Sequence, residues 1–451
     1  MSSTDTTAPV PPARARQRAA AVLASVAVAL VATGLAFLRM SGTSRGTMWA
    51  EDAAVFSRRA TDRALQTSWI FTPYDGYTHS IPQLTANVLW SVVPIEKMAV
   101  AFSLAACLIA GAVAAGVFAL TARWGLNLPG RLLLAATTVL VPGLRSEVLG
   151  NLANAHWFLL WLAPFLFLWV PRRWWSSAAA ALIAFFIATT EIQSLVFTPL
   201  LLWRIRDRKR WPMIAAMAAG AAVQLWAFAQ ETRERATGAA SVISTISGYL
   251  LQVPLSALTG SGRITAAIVG HAGWITACLA IVPFVLCAIW VARGSRRRAL
   301  AVTAVMALSL ALWSAGYVIN FAPALDFAAM DRQTLNAGVS MLRYAAVPMM
   351  LLFGIVAVAV GRGSPGGSAE GSAGGSAWRL RLPAASVLVT TLCLFAAGYP
   401  DSSPRESGPL WAASLEAAQE ECAAPGADDQ TTIAVAPENW GLDIACALVE
   451  P

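Results

Sequence analysis

The stretch AAAVLASVAVALVATGLAFL, residues 19–38, followed by RMSGTSRGTMWAEDAAVF, residues 39–56, decides how this chain reads. The first part is an uncharged apolar run, long enough for a helix through the roughly 30 Å hydrocarbon core of a bilayer. The second part turns polar and places two carboxylates, Glu51 and Asp52, side by side. The same alternation fills the chain. Of its 451 residues, 57% are hydrophobic and 12% charged, and the mean hydropathy is +0.61, too apolar for a soluble globular protein. In lipid every backbone polar group must be satisfied internally, so recurring runs of this length predict an all-α polytopic membrane protein. Residues 19–38 read as a retained signal anchor, because Leu38-Arg39 follows without a small-x-small cleavage pattern.

Further apolar runs at 98–121, 131–143, 157–170, 176–190, 193–204, 212–230, 273–292, 299–319, 344–361 and 383–398 bring the expected spans to about eleven. The four between 131 and 204 are short and are expected to be tilted or shielded by neighbours. Basic clusters at Arg14/Arg16/Arg18, Arg172/Arg173, Arg204 to Arg210 and Arg293 to Arg298 separate the runs. They place the N-terminus in the cytoplasm and the C-terminus outside. The net charge of +8 is therefore spread over loop anchors and does not form a nucleic-acid face. On this topology every acid but Asp5, Asp207 and Glu370 lies outside. Acids steer topology little, so their one-sidedness points to chemistry on the outer face.

The expected organisation is a disordered cytoplasmic tail at 1–18, a first transmembrane module at 19–230 with an outer loop at 39–97, a second region at 231–398, and an outer tail at 399–451. The second region carries an outer loop at 231–272 and a Gly/Ser-rich cytoplasmic linker at 362–382. No P-loop and no dinucleotide fingerprint occurs. Cys107, Cys278, Cys287 and Cys393 sit in apolar runs as packing residues. Cys422 and Cys446, in the outer tail, are positioned to close a disulfide in an oxidising compartment.

Several polar islands carry chemistry. Glu51 and Asp52 open an amphipathic surface segment, DAAVFSRRATDRALQ; either acid can cap its positive end or act as a general base at the membrane face. FTPYDGYTHSIPQL, residues 71–84, sets Tyr74, Asp75, Tyr77 and His79 around Gly76: a turn with interface aromatics, or rings and hydrogen-bonding groups for a sugar. RSEVLGNLANAHWFLLW, residues 145–161, would carry Glu147, Asn151 and Asn154 on one helical face, with His156 beside them. Glu191 stands at a turn between two short runs, and an acid at membrane depth is a functional candidate. Arg343-Tyr344 ends another run, with Arg suited to a phosphate. Arg145 and Arg332 are weaker candidates of the same kind. His271 and Trp274 read as interface residues.

A first span, a long first outer loop opening on Glu51-Asp52, a juxtamembrane helix behind it and many further spans resemble the GT-C superfamily of polyprenyl-phosphate-dependent membrane glycosyltransferases, of the mannosyl- and arabinosyltransferase kind. The resemblance covers residues 19–230, and beyond that it is architectural only. It implies that Asp52 first, and Glu51 second, is the catalytic base, with Glu147 or Glu191 assisting. It implies a polyprenyl-phosphate sugar as donor, a cell-envelope glycan or glycolipid as acceptor, and inverting transfer at the outer face of a bacterial cytoplasmic membrane. Tyr74, Asp75, His79, Glu147, Asn151, Asn154, His156, Glu191, Arg343 and Tyr344 are then the substrate-binding candidates. A divalent cation, Mg or Mn, is compatible with the acids, and nothing in the sequence requires it. The rival readings are a flippase for lipid-linked glycans, which would need polar groups along the span centres, and a non-catalytic assembly factor of the envelope.

Overall fold

The computed structural model describes residues 12–62, 70–230, 239–362 and 403–449. The expected span at 383–398, nearly all of the linker at 362–382, and Cys393 lie outside the described residues.

The fold is a helical membrane bundle. Among the described residues, seven helices are long and apolar enough to cross a bilayer: Arg16–Leu38, Ile95–Arg123, Arg208–Ala229, Val242–Thr259, Ile275–Ala292, Arg296–Ile319 and Arg343–Gly361. Helix Met98–Leu120 shows why these residues pack as they do. Its 23 residues span about 35 Å at 1.5 Å per residue. Ala99, Ser103, Ala106, Cys107, Ala110 and Ala114 make a buried ridge of small side chains. Small ridges let helix backbones approach closely where lipid supplies no hydrophobic drive for association. A Cβ on Gly111 would fall 2.1 Å from Thr33 Oγ1 and 2.6 Å from Ala29 O, so this glycine sets the contact with helix Pro12–Leu38. Gly130 and Gly361 meet in the same way.

The short runs form helices as well, but their lengths and types differ from expectation. Leu128–Leu140 and His156–Leu168 have 13 residues each, about 20 Å by helical rise and short of a full crossing. The segment expected as an α-helical span at 193–204 is a 3-10 helix, Ile192–Leu202, with Pro199 inside; proline has no N–H to give an α-helical ladder. The expected outer loop 231–272 contains the apolar helix Val242–Thr259, widened to a π-turn over Leu251–Leu255 around Pro254. A π-turn accommodates the carbonyl that a proline ring would otherwise strike.

The segment expected as an outer tail departs from the all-α expectation. Helix Trp411–Ala423 packs on a hairpin of two antiparallel strands, β1 (Gln430–Val435) and β2 (Trp440–Ala445), with Ile433 opposite Leu442. The hairpin buries Ile433, Val435, Leu442 and Ile444 in one core with Phe56 and Phe102. Cys422 and Cys446 are joined by a disulfide, their Cα atoms 5.5 Å apart. The tail is stitched to the loop after helix Pro12–Leu38 by main-chain bonds: Ala50 N–H to Ala436 O at 2.6 Å, Ala436 N–H to Met48 O at 3.1 Å, and Trp411 N–H to Gly46 O at 2.8 Å.

Candidate functional site

Three chain segments meet at one end of the bundle, and each is fixed there by its own local chemistry. The first is the loop carrying Glu51 and Asp52. Asp52 is 1% exposed, and its carboxylate accepts from Leu152 N–H at 3.0 Å and Ala153 N–H at 2.8 Å. It therefore caps a different helix, the one entered at Ala153, and does not cap its own. Burial pushes the Asp52 carboxyl up to about 7, against the opposing pull of those two amides and of the Arg405 guanidinium. Glu51 points elsewhere. Its Oε1 lies 3.8 Å from Arg343, and its buried Oε2 has no partner.

The second segment is the turn before helix Ser80–Val92. Asp75 and Gly76 both have positive φ, 53° and 82°, and Tyr74 and Tyr77 exchange both main-chain bonds, the geometry of a tight hairpin turn. Arg59 holds its approach through Thr72 O and Pro73 O. Gln224 anchors its exit, accepting from Thr78 N–H at 2.9 Å and donating to Thr78 O at 3.2 Å. Thr78 and Ser80 hydroxyls both donate to Thr189 O. The result is an aromatic cage: the His79 ring is 4.1 Å from Tyr77 and 5.7 Å from Phe56. His79 is buried, and neither ring nitrogen has a partner. Burial, then the neighbouring His156, Arg59 and Arg343, hold its pKa well below the usual range, so the imidazole is neutral.

The third segment, 144–157, corrects an expectation. Glu147, Asn151 and Asn154 do not share a helical face, because helix Leu144–Glu147 is one turn long and Gly150 then takes φ +67°. Asn151 is fully buried and its Oδ1 accepts from Asn154 N–H. Asn154 faces the cleft, holding Glu147 O and accepting from Trp157 Nε1. His156 Nδ1 contacts Glu191 Oε2 closely, and Glu191 Oε1 accepts from Gln193 N–H at 2.7 Å. Glu191 is 2% exposed, so it is a buried partner and not a solvated turn acid.

These segments enclose a cleft of about 1170 Å³, counting space open to solvent, lined by Glu51, Tyr74, Asp75, His79, Asn154, His156, Glu191, Arg343 and Tyr344 among others. A second cleft shares Glu51, Arg343 and Tyr344 with the first and adds Glu147, Trp49 and, from β2, Trp440. Arg343 stands where the clefts join, 3.8 Å from Glu51 and 3.9 Å from Glu147. Burial raises the Glu147 pKa, with Arg343 opposing and Glu51 reinforcing the shift. The structure thus brings Glu51, Tyr74, Asp75, His79, Glu147, Asn154, His156, Glu191, Arg343 and Tyr344 to the two clefts. Asp52 and Asn151 lie behind the cleft wall, and the weaker candidates Arg145, which faces Glu406, and Arg332, at the start of helix Arg332–Ala337, line neither cleft. Of the two adjacent acids it is Glu51 that lines the clefts.

Sequence reasoning passed over Arg405, Gln224 and Trp440. Gln224 carried a signal, a lone amide in an apolar helix. Arg405 is 2% exposed and donates to Gly150 O at 2.6 Å, Thr47 O at 2.5 Å and Ser103 Oγ at 3.0 Å. It binds the tail, the first loop and the 144–157 segment together directly behind Asp52. Among the described residues no group of three or more His, Cys, Asp or Glu side chains is arranged to hold a metal ion; Glu51 and Glu147 are turned to Arg343, and Glu191 to His156. In comparisons with known proteins, no family model and no curated sequence matches the chain.

Proposed function

We propose that this chain is a GT-C-like membrane glycosyltransferase, moving a sugar from a polyprenyl phosphate to a cell-envelope glycan or glycolipid at the outer face of a bacterial cytoplasmic membrane. The reading takes the cleft end of the bundle as the outer face, with about eleven crossings, the N-terminus inside and the C-terminus outside. The observation that carries it is the junction of the two clefts, where a carboxylate with an unpartnered oxygen, Glu51, sits 3.8 Å from the guanidinium of Arg343.

Each group has a place in one displacement. The Glu51 carboxylate takes the proton of the acceptor hydroxyl as the hydroxyl oxygen forms a bond to the anomeric carbon. The bond from that carbon to the phosphate oxygen breaks, and the lipid phosphate leaves with the electron pair. Arg343 stabilises the charge that develops on it. The aromatic cleft of Tyr74, Tyr77, His79 and Trp157 receives the donor sugar, and neutral His79 offers one N–H and one lone pair to its hydroxyls. The second cleft, with Trp49, Trp440 and Glu147, receives the acceptor. Asp52 supports this arrangement by positioning the helix that carries Asn154 and His156.

The test is transfer in membranes supplied with a panel of radiolabelled polyprenyl-phosphate sugars, with intact folding checked by gel filtration. Glu51→Gln is expected to lower transfer by about 100-fold or more, the scale of a lost general base. Undiminished transfer in that variant refutes the assignment. Labelled lipid changing leaflets with no new glycosidic bond refutes the reaction itself.

A further inference from the structure

The same helices that deliver His156 and Glu191 to the cleft end at a second concavity on the opposite face. Helix His156–Leu168 runs from one to the other, and helix Met98–Leu120 reaches the second at Leu120, just before Arg123 and Trp124. This far cleft, about 1250 Å³ counting open space, draws cations from three separate loops: Arg123, Arg172, Arg204 and Lys209. Asp207 is the one acid in its wall, and that carboxylate already accepts from Lys209 N–H at 3.1 Å. Among the described residues none of the four cations has a carboxylate within ion-pair distance. Two of them use single donors to join the loops, Arg123 to Val170 O at 3.4 Å and Lys209 Nζ to Arg172 O at 2.6 Å, which leaves their remaining N–H groups for a ligand. Behind the wall, Arg210 is fully buried between Phe167 O and Leu200 O, and its Nε and Nη1 have no protein partner.

The lining is also aromatic. Trp124, 39% exposed, stacks on Phe165 at 5.3 Å, and Trp203 is 52% exposed. Indoles of this exposure sit at the headgroup level of a bilayer. Converging unpaired cations in a concavity between helix ends, ringed by interfacial tryptophans, match a phosphodiester headgroup with its acyl chains lying against the neighbouring apolar surface. We propose that this cleft is a binding site for an anionic phospholipid, recognised through its phosphate by Arg123, Arg172, Arg204 and Lys209. The site is independent of the reaction assigned above.

The test is retention of added lipid by the purified full chain, read by native mass spectrometry, with phosphatidylglycerol and phosphatidylcholine compared. The wild-type chain is expected to retain phosphatidylglycerol at least about tenfold better than the neutral lipid, and the triple variant Arg123→Ala/Arg172→Ala/Arg204→Ala to lose about 100-fold of that affinity, at roughly fivefold per cation near an anionic surface. The control is Arg296→Ala/Arg297→Ala/Arg298→Ala, which removes equal charge from a basic run that lines no part of this cleft; it is expected to change retention less than about threefold. Equal losses in the two triples would mean diffuse surface charge and overturn the proposal. So would equal retention of the neutral lipid by the wild-type chain. Displacement of the lipid by millimolar inorganic phosphate would reassign the cleft to a free anion.

Discussion

Arg405→Ala removes a side chain of the tail that bonds the first loop and the 144–157 segment at once. Its three donors reach Gly150 O, Thr47 O and Ser103 Oγ at 2.5–3.0 Å in a site closed to solvent. Hydrogen bonds from a charged donor contribute about 1.5–3 kcal/mol each, so the gross loss is about 5–9 kcal/mol. Part is offset because the folded state no longer desolvates a guanidinium. Part is added back because the buried Asp52 carboxylate loses its nearby positive charge. Breaking a buried charged contact on one side costs about 3–5 kcal/mol net. Taking about 4 kcal/mol, the opening of residues 403–449 becomes about a thousandfold more frequent, at tenfold per 1.4 kcal/mol. Hydrogen exchange of β1 and β2 reads this directly: protection is expected to fall by about three decades there, while that of Met98–Leu120 falls less. Arg405→Lys, which keeps the charge without the fork, is expected to lie between. A fall of less than about tenfold in Arg405→Ala would show that the tail is held by its apolar core and main-chain bonds alone, and the guanidinium would have no clamping role.

Three further perturbations follow from the same contacts. The Asp52 carboxyl sits at about 7 in the fold against 3.8 ordinarily, so the folded state holds its proton more tightly than the unfolded chain. That contribution is fully present below about pH 4 and lost as pH rises through about 7, about 4 kcal/mol at 1.36 kcal/mol per unit. Unfolding in detergent at pH 5 and pH 8 is expected to show about 3 kcal/mol of this decline in the wild-type chain and a flatter profile in Asp52→Asn; an unchanged slope in the variant would assign it to other groups. Gln224→Leu strips Thr78 of partners for a buried N–H and carbonyl, costing about 2–4 kcal/mol, and is expected to expose residues 70–80 to protease before the rest of the chain unfolds. Gly111→Ala forces a methyl against Thr33 Oγ1 and Ala29 O, costing about 1–3 kcal/mol of overpacking; thermal unfolding should show the loss, with partial recovery when Thr33→Ala is added.

Much of the site was legible because polarity is scarce in this chain. When most residues must face lipid or one another, polar islands collect at helix ends, and ends on one face of a bundle converge. That is why Tyr74, His79, Asn154, His156, Glu191 and Arg343, spread over 270 residues of sequence, line one cleft. The periodic argument for Glu147, Asn151 and Asn154 failed because it assumed an unbroken helix. Gly150 carries no side-chain penalty at φ +67°, and there the chain reverses instead. The loop expected at 231–272 hid a helix because Val242–Thr259 carries Ser, Thr, Gln and Gly that disguise an apolar face. Its Gln252 and Tyr249 are spent on Ser340 O, Leu342 N–H and Ser309. The tail was illegible in a different way: Arg405 meets Thr47 across 358 positions, and no local pattern encodes such a pairing.

The two adjacent acids show where the limit lies. Successive side chains on a helix point roughly 100° apart, so Glu51 and Asp52 cannot both face one cleft. Sequence identifies the pair but cannot give its rotation. The rotation is set by what lies behind the pair: Leu152 and Ala153 present two backbone N–H groups at the start of a helix, and a short carboxylate buried there satisfies both. Asp52 has the shorter stem and is held at the wall, while Glu51, one methylene longer, reaches toward Arg343. The capping role and the cleft-facing role, alternatives for a single residue when read from sequence, are divided between neighbours. A substitution at Asp52 should therefore register first in stability and its pH profile, and one at Glu51 first in turnover. A variant pair showing the opposite pattern would mean that the rotation of this segment has been read the wrong way round.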